Sequence, residues 1–253
     1  MEELFYNMIF KRKSFHLFRD VGDEKITLDA LKEIEEKFKT FKPLVENIKT
    51  DIKIVPENET TCARGGEYCI LIFSEKKDNY LQNIGYLGEQ LDLYLASLNI
   101  GTLWYGIGKI QETKYNDLDF VIMIAIRKVP KEKFRKDMFK SKRKKVEEIW
   151  NGEKFLNIAN IVRFAPSACN TQPWKVECSE GKIDVYRYKK PGKRGIMPVD
   201  KVIYYNKIDI GIFLLFLDIC LKRENVNFER EIYLDVSEED NENTLVATYN
   251  IKE

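Results

Sequence analysis

Ala165-Pro166-Ser167-Ala168-Cys169-Asn170-Thr171-Gln172-Pro173-Trp174 closes a helical pattern and runs into a strand. Its two prolines restrict the chain at both ends. Between them Ser167, Asn170 and Gln172 offer donors and acceptors able to read the polar edge of a planar heterocycle. A plain helix-to-strand connection, with Asn capping and Trp174 in the core, would use some of these residues. So many specified residue types in ten positions ask for more than a connection.

Outward from this segment, helical spacing covers Val146 to Arg163 before it, and strands follow at Trp174 to Cys178 and Lys182 to Tyr188, joined at Glu180-Gly181. A long helix is expected from Ile208 to Arg223 and a last strand around Thr244 to Ile251. Asp235 to Asn243 reads as an acidic, solvated loop. The first half has the same order. Thr27 caps a helix from Leu28 to Phe41, strands follow at Asp51 to Val55 and Tyr68 to Phe73, and a helix from Asn79 to Leu98 ends at Asn99-Ile100-Gly101. Phe120 to Ile126 is an unbroken apolar run, as in a strand covered on both faces. Half of 253 residues is about 126, a plausible folding unit. The division is expected at residues 1–145 and 146–253, the first lobe ending in a basic connection from Arg127 to Lys145. With no low-complexity linker, a compact pair of lobes sharing one sheet system is expected.

Charge and composition exclude several functions. The 42 Lys and Arg against 41 Asp and Glu leave a net charge of +1, so no global field draws the chain to nucleic acid or acidic membrane. The basic run has only Phe134 and Phe139 as aromatics, too few for base stacking. The start, Met1-Glu2-Glu3, is acidic, and the longest apolar stretch, Ile208 to Leu221, is interrupted by Asp209 and Asp218. A cytoplasmic protein without membrane contact is expected. Five cysteines without a CxxC pair and a single histidine, His16, argue against a disulfide framework or a zinc site. No metal is expected.

Two further segments carry chemistry. In Arg12-Lys13-Ser14-Phe15-His16-Leu17-Phe18, two cations and a hydroxyl precede apolar residues near the start of a helix, a set suited to an anion. Gly101-Thr102-Leu103-Trp104-Tyr105-Gly106 follows the long helix as a turn whose glycines would let main chain lie along a flat ligand.

Together the three segments resemble the FMN-dependent nitroreductase superfamily, whose members carry R-[RK]-S-x-R-x-[FY], A-P-S-x-x-N-x-Q-P-W and G-x-G-x-x-W-x-G. Arg12, Lys13, Ser14 and Phe18 match the first, Ala165 to Trp174 the second, and Gly101, Trp104 and Gly106 the third. The resemblance implies an α+β fold of two similar lobes with mainly antiparallel sheets. The order differs from the family, because the A-P-S segment lies about 150 residues after the R-K-S segment instead of close behind it. In dimeric relatives one subunit supplies the R-x-S motif and the turn, and its partner supplies the P-S-x-x-N loop. Here the first half keeps the former pair and the second half the latter. The chain thus resembles a fused pseudo-dimer, a monomer keeping one of two FMN sites.

The resemblance further implies that Arg12 and Ser14 hold the FMN phosphate and ribityl chain, with Lys13 nearby. Pro166, Ser167 and Asn170 meet the isoalloxazine, and Trp104, Tyr105 and Gly106 place main chain against it. Arg143 or Lys144 stands for the family's late phosphate-binding basic residue. His16 occupies a position where relatives keep a cation by the ring edge that becomes anionic on reduction, so the charge available there would depend on pH. The expected activity is transfer of electrons from NAD(P)H through FMN to a small planar acceptor, a nitroaromatic or a quinone. A flavin carries its own chemistry, so a chain with one histidine can still be an enzyme. The alternative is a non-catalytic FMN-binding storage or sensor protein.

Overall fold

Apolar periodicity and turn chemistry place most elements of the computed structural model, which describes residues 1–188, 195–235 and 243–252. Helix α1 (Glu2–Lys11) buries Phe5, Met8 and Ile9. Helix α2 (Leu28–Phe38) starts where the Thr27 side chain accepts a hydrogen bond from the Ala30 amide at 3.2 Å. It stops three residues before the expected Phe41, because Lys37 O accepts both the amide and the hydroxyl of Thr40 and turns the chain. Strands β1 (Thr50–Pro56) and β2 (Tyr68–Ser74) precede the long helix α3 (Tyr80–Ser97). Asn99, at φ 56°, takes the left-handed conformation after that helix and sends the chain back.

Where a turn is expected after α3, the chain is extended. Residues Ile100–Tyr105 form strand β3, paired with β5 (Leu118–Lys128), while β4 (Lys114–Tyr115) pairs with the start of β5. Gly101 is required there by close approach. A Cβ on it would lie 2.6 Å from Val129 Cγ2 and 2.8 Å from Phe15 Cδ2.

The expected helix over 146–163 is broken into α4 (Val146–Ile149), the short β6 (Trp150–Asn151) and α5 (Leu156–Val162). Gly152 causes the break: at φ 129° it packs against the Cys178 carbonyl, where no side chain fits. Strands β7 (Trp174–Cys178) and β8 (Lys182–Tyr188), helix α6 (Val202–Arg223), β9 (Asn227–Ile232) and β10 (Asn243–Lys252) complete the chain. From Ile208 to Leu221 every residue of α6 is buried, including Asp209 and Asp218. Among the described residues no helix is long and apolar enough to cross a membrane.

The described strands form two antiparallel sheets rather than one shared system, β1-β2-β5-β3 and β6-β7-β8-β10-β9, the short β6–β7 pairing alone being parallel. The result is an α+β fold in which one strand order occurs twice. Equivalent details recur as well. Val121 bulges from β5 where it meets β2, and Val246 bulges from β10 where it meets β8. Asn99 after α3 and Asn225 after α6, 126 positions apart, have φ of 56° and 55°.

Two compact units are distinguished. The first contains Glu3–Tyr80 and Leu87–Met138, the second Leu81–Tyr86 and Phe139–Glu253. The first is built on β2 and β5, where Ile70, Ile72, Ile124, Ala125 and Ile126 are fully buried. In the second, residues 81–86 of α3 cross α6 so closely that a Cβ on Gly85 would strike the Ile208 carbonyl and one on Gly211 the Gln82 carbonyl. Asp235 was expected in a solvated loop; instead it is buried and takes a bidentate ion pair from Arg187, at 2.7 and 2.8 Å. The rest of that loop, 236–242, lies outside the described residues.

Candidate functional site

The R-K-S segment does not start a helix; it follows the end of one. Arg12 caps α1 and donates its amide to Met8 O, and the chain then extends along β3, with Phe15 N 2.9 Å from Thr102 O and a parallel bridge between Ser14 and Thr102. Phe15 fastens the segment. Its ring is buried, stacked on Phe18 at 5.7 Å and edge-on to Phe134 at 5.5 Å.

This anchoring decides where the cations point. The Arg12 guanidinium turns inward, 3% exposed, with Nη2 3.0 Å from Asp92 and Nε 3.7 Å from Glu89. Burial opposes its charge, yet Asp92 and Glu89 outweigh burial and raise its proton affinity. Arg12 therefore holds the segment from beneath and does not present a free fork. Lys13 stays half-buried at the surface, donating to the Lys133 carbonyl at 2.9 Å. Burial, then the positive charges of Lys133 and Arg135, lower its pKa. Arg135, whose amide donates to Lys11 O, is itself lowered to about 10 by burial and by Arg12. Lys13 thus lies within reach of two other positive charges, and an anion placed beside it would relieve their repulsion. Ser14 is half-buried beside them and His16 is exposed.

Lys133 and Arg135 were missed in the sequence. The signal was the alternation Lys133-Phe134-Arg135, in which the central ring is buried, Lys133 is exposed and Arg135 half-buried. The carboxylates Glu89 and Asp92 were missed too, because they sit within the apolar pattern of α3. Asp92 Oδ1 accepts the Thr102 hydroxyl at 2.6 Å, and Oδ2 accepts the Trp104 indole N–H at 3.1 Å. Trp104, Tyr105 and Gly106, at the end of β3, are half-buried.

In the second unit the loop from Ala165 to Trp174 is held in an unusual backbone. Cys169, Asn170 and Gln172 all have positive φ, at 49°, 56° and 51°. Such a conformation costs on the order of 1 kcal/mol or more per non-glycine residue and persists only when its surroundings enforce it. The enforcing contacts are present. Ser167 Oγ accepts the Gln172 amide at 3.0 Å, and Asp209 Oδ1 accepts the Ala168 amide at 2.9 Å. Lys144 donates its amide to Gln172 Oε1 and its ammonium to Gln172 O, both at 2.8 Å, while Arg143 Nη1 donates to Asn170 Oδ1 at 2.7 Å.

Arg143 and Lys144, expected to meet a phosphate, thus brace this loop. Pro166 and Ser167 are half-buried and Asn170 is exposed. Trp174 is fully buried and stacks on Phe213 at 4.8 Å. Burial pushes the Asp209 carboxyl up to about 8, against the smaller opposing effect of the Ala168 N–H.

The donor set fits a flavin mononucleotide in kind: clustered cations and a hydroxyl for a phosphate, and main chain with amide groups for a planar heterocycle. A putative nitroreductase from Thermotoga maritima has the same fold, with a TM-score of 0.58, 18% identity, and coverage of 98% of this chain and 92% of that one. No curated protein sequence matches the chain. A family model described as "Putative TM nitroreductase" matches residues 5–220, from within the first helix into the last turns of α6, taking in both loops described above. The chain belongs to the putative TM nitroreductase family.

Proposed function

We propose that the protein is an FMN-dependent oxidoreductase that moves electrons from NAD(P)H to a small planar acceptor of nitroaromatic or quinone type. Membership of a nitroreductase family supports oxidoreductase chemistry. The observation that carries the FMN assignment is the grouping of Lys133 and Arg135 around Lys13, next to Ser14 in the chain, where a phosphate dianion would relieve the repulsion that Lys13 meets. The chain has no G-x-G-x-x-G turn, which speaks for a mononucleotide over a dinucleotide.

Bound FMN would supply hydride acceptance at its N5, leaving binding and orientation to the protein. Lys13, Ser14, Lys133 and Arg135 would hold the phosphate and the ribityl chain, while Arg12 fixes the Lys13-Ser14 segment from the interior. By the family resemblance, the half-buried Trp104, Tyr105 and Gly106 would offer main chain to the ring, and the exposed His16 would be available to its edge. In the second unit, Pro166, Ser167 and Asn170, on a loop braced by Arg143 and Lys144, are the groups that the family resemblance would assign to a flavin ring.

The purified protein is therefore expected to be yellow, and its released chromophore to have the mass of FMN. Protein that is colourless and takes up no added FMN overturns the reading. Anaerobic NADH or NADPH should bleach the bound flavin, and reoxidation by a quinone should restore it. Tight FMN binding with neither response would assign a storage or sensor role instead.

A further inference from the structure

Asp92 is fully buried on α3, where it accepts two hydrogen bonds from one other segment and pairs with a cation of a second. The turn at Asn99 lays β3 back along α3, so that Thr102 and Trp104 face the helix. Thr102 Oγ1 lies 2.6 Å from Oδ1, Trp104 Nε1 3.1 Å from Oδ2, and Arg12 Nη2 3.0 Å from the same Oδ2. Glu89, one turn earlier on α3, lies near Arg12 Nε at 3.7 Å, and burial raises its proton affinity well above the carboxylate range. Of the two carboxylates Asp92 is the nearer to Arg12.

The second unit contains the same clasp with different donors. Asp218 on α6 lies 126 positions after Asp92, and Arg230 on β9 lies 126 positions after Trp104. Asp218 accepts from Arg230, from the Tyr86 hydroxyl at 2.7 Å and from the Tyr249 hydroxyl at 2.7 Å. An aspartate that ties a long helix to its following strand is thus common to both units. What distinguishes the first is that its aspartate also holds Arg12.

We propose that Asp92 is a positioning residue for the cofactor: a single buried carboxylate sets the R-K-S segment and the Trp104 end of β3 relative to one another, and acts on FMN only through them. This rests on the FMN reading above. Asn at position 92 keeps an acceptor for one neutral donor but loses the charge that holds Arg12, so the segment carrying Lys13 and Ser14 loses its inner anchor. Asp218 supplies the control, a buried aspartate that likewise meets three partners, in a unit without the R-K-S segment.

Full-length wild type, Asp92→Asn, Trp104→Phe and Asp218→Asn are titrated with FMN by flavin fluorescence quenching, and the midpoint potential of each loaded protein is measured by dye equilibration. The dissociation constant should rise at least tenfold in Asp92→Asn and a few-fold in Trp104→Phe, and the potential should shift in both. Asp218→Asn should lower the melting temperature yet leave the FMN constant within twofold and the potential unmoved. If Asp92→Asn does not fold, Trp104→Phe, which removes one donor and leaves the ion pair, decides. Variants of Asp92 and Trp104 that match wild type in both quantities overturn the proposal, as does an Asp218→Asn variant that weakens FMN as much as Asp92→Asn. Failure of wild type itself to bind FMN overturns the FMN reading and this proposal together, a result visible before any variant is compared.

Discussion

Lys133 and Arg135 flank one buried phenylalanine in the chain, and Lys13 donates to the Lys133 carbonyl. Under the FMN assignment, Arg135→Ala should weaken FMN about tenfold, the size of one charge-assisted hydrogen bond. It should leave riboflavin, which has no phosphate, bound as before. Parallel titrations with the two flavins check this, and an equal loss for both would move Arg135 away from the phosphate. Asp209 makes a separate prediction. Its folded pKa of about 8 lies above the ordinary value near 3.9. The native state therefore holds a proton that the unfolded chain releases, and stability should fall as pH rises from about 4 to 8, then level off. Asp209→Asn keeps an oxygen for the Ala168 amide and carries no charge, so this slope should shrink. At pH 8 the variant should exceed wild type by a few kcal/mol, on the order of 1.4 kcal/mol for each pH unit that separates the folded from the unfolded pKa, and near pH 4 the two should converge. Urea midpoints across that range provide the check.

Helices α3 and α6 illustrate how an element's sequence is set by its neighbour. In an exposed helix, replacing Gly by Ala stabilises by about 1 kcal/mol. Gly211 lies against the Gln82 carbonyl with no room for a Cβ, and Gly85 lies likewise against Ile208. Gly211→Ala should therefore destabilise, by about 2 to 3 kcal/mol, because the backbones must part to admit the methyl group. Denaturant unfolding measures it, and a neutral or stabilising outcome would show that the crossing relaxes freely. Strands β3 and β9 show the opposite dependence. Neither has an apolar alternation of its own: β3 carries Gly101 and Thr102, and β9 reads Asn-Phe-Glu-Arg-Glu-Ile. Each becomes a strand because the left-handed Asn before it returns the chain to a partner already in place, β5 or β10.

For the molecule as a whole, the repeated strand order bears on stoichiometry. The R-K-S segment occurs in the first unit only. The first unit's counterpart of the A-P-S loop, Lys42-Pro43-Leu44-Val45-Glu46-Asn47, keeps the proline and a left-handed Asn at φ 64° but has neither the Ser nor the Gln that stabilise Ala165 to Trp174. One chain with two such halves and a single full set of motifs should bind one FMN. Sedimentation monitored at the flavin and protein bands should give a ratio of one in a monomer. Two flavins per chain would require a second site that these residues do not form.

The lobes' core elements were legible from periodicity because burial alone selects them: Tyr68–Ser74, Leu118–Lys128 and the apolar length of α6 have few other ways to leave water. The motif around Asn170 was legible because its residue types stand together in ten positions and part of its hydrogen bonding is local, Ser167 to Gln172 and Gln172 to Asn170. Asp209, Arg143 and Lys144, which also hold it, come from 27 to 41 positions away. Nothing local, by contrast, could have told that Arg12 turns inward. That depends on Asp92 and Glu89, some eighty residues away, being brought beneath it by α3. The same holds for Lys133 and Arg135, which meet Lys13 only after Phe134 packs on Phe15, and for Gly152, whose break answers to a carbonyl at Cys178. A charged side chain is free or committed according to the charges that folding sets within a few ångströms of it, and Coulomb energies at such distances outweigh any preference written into its own segment.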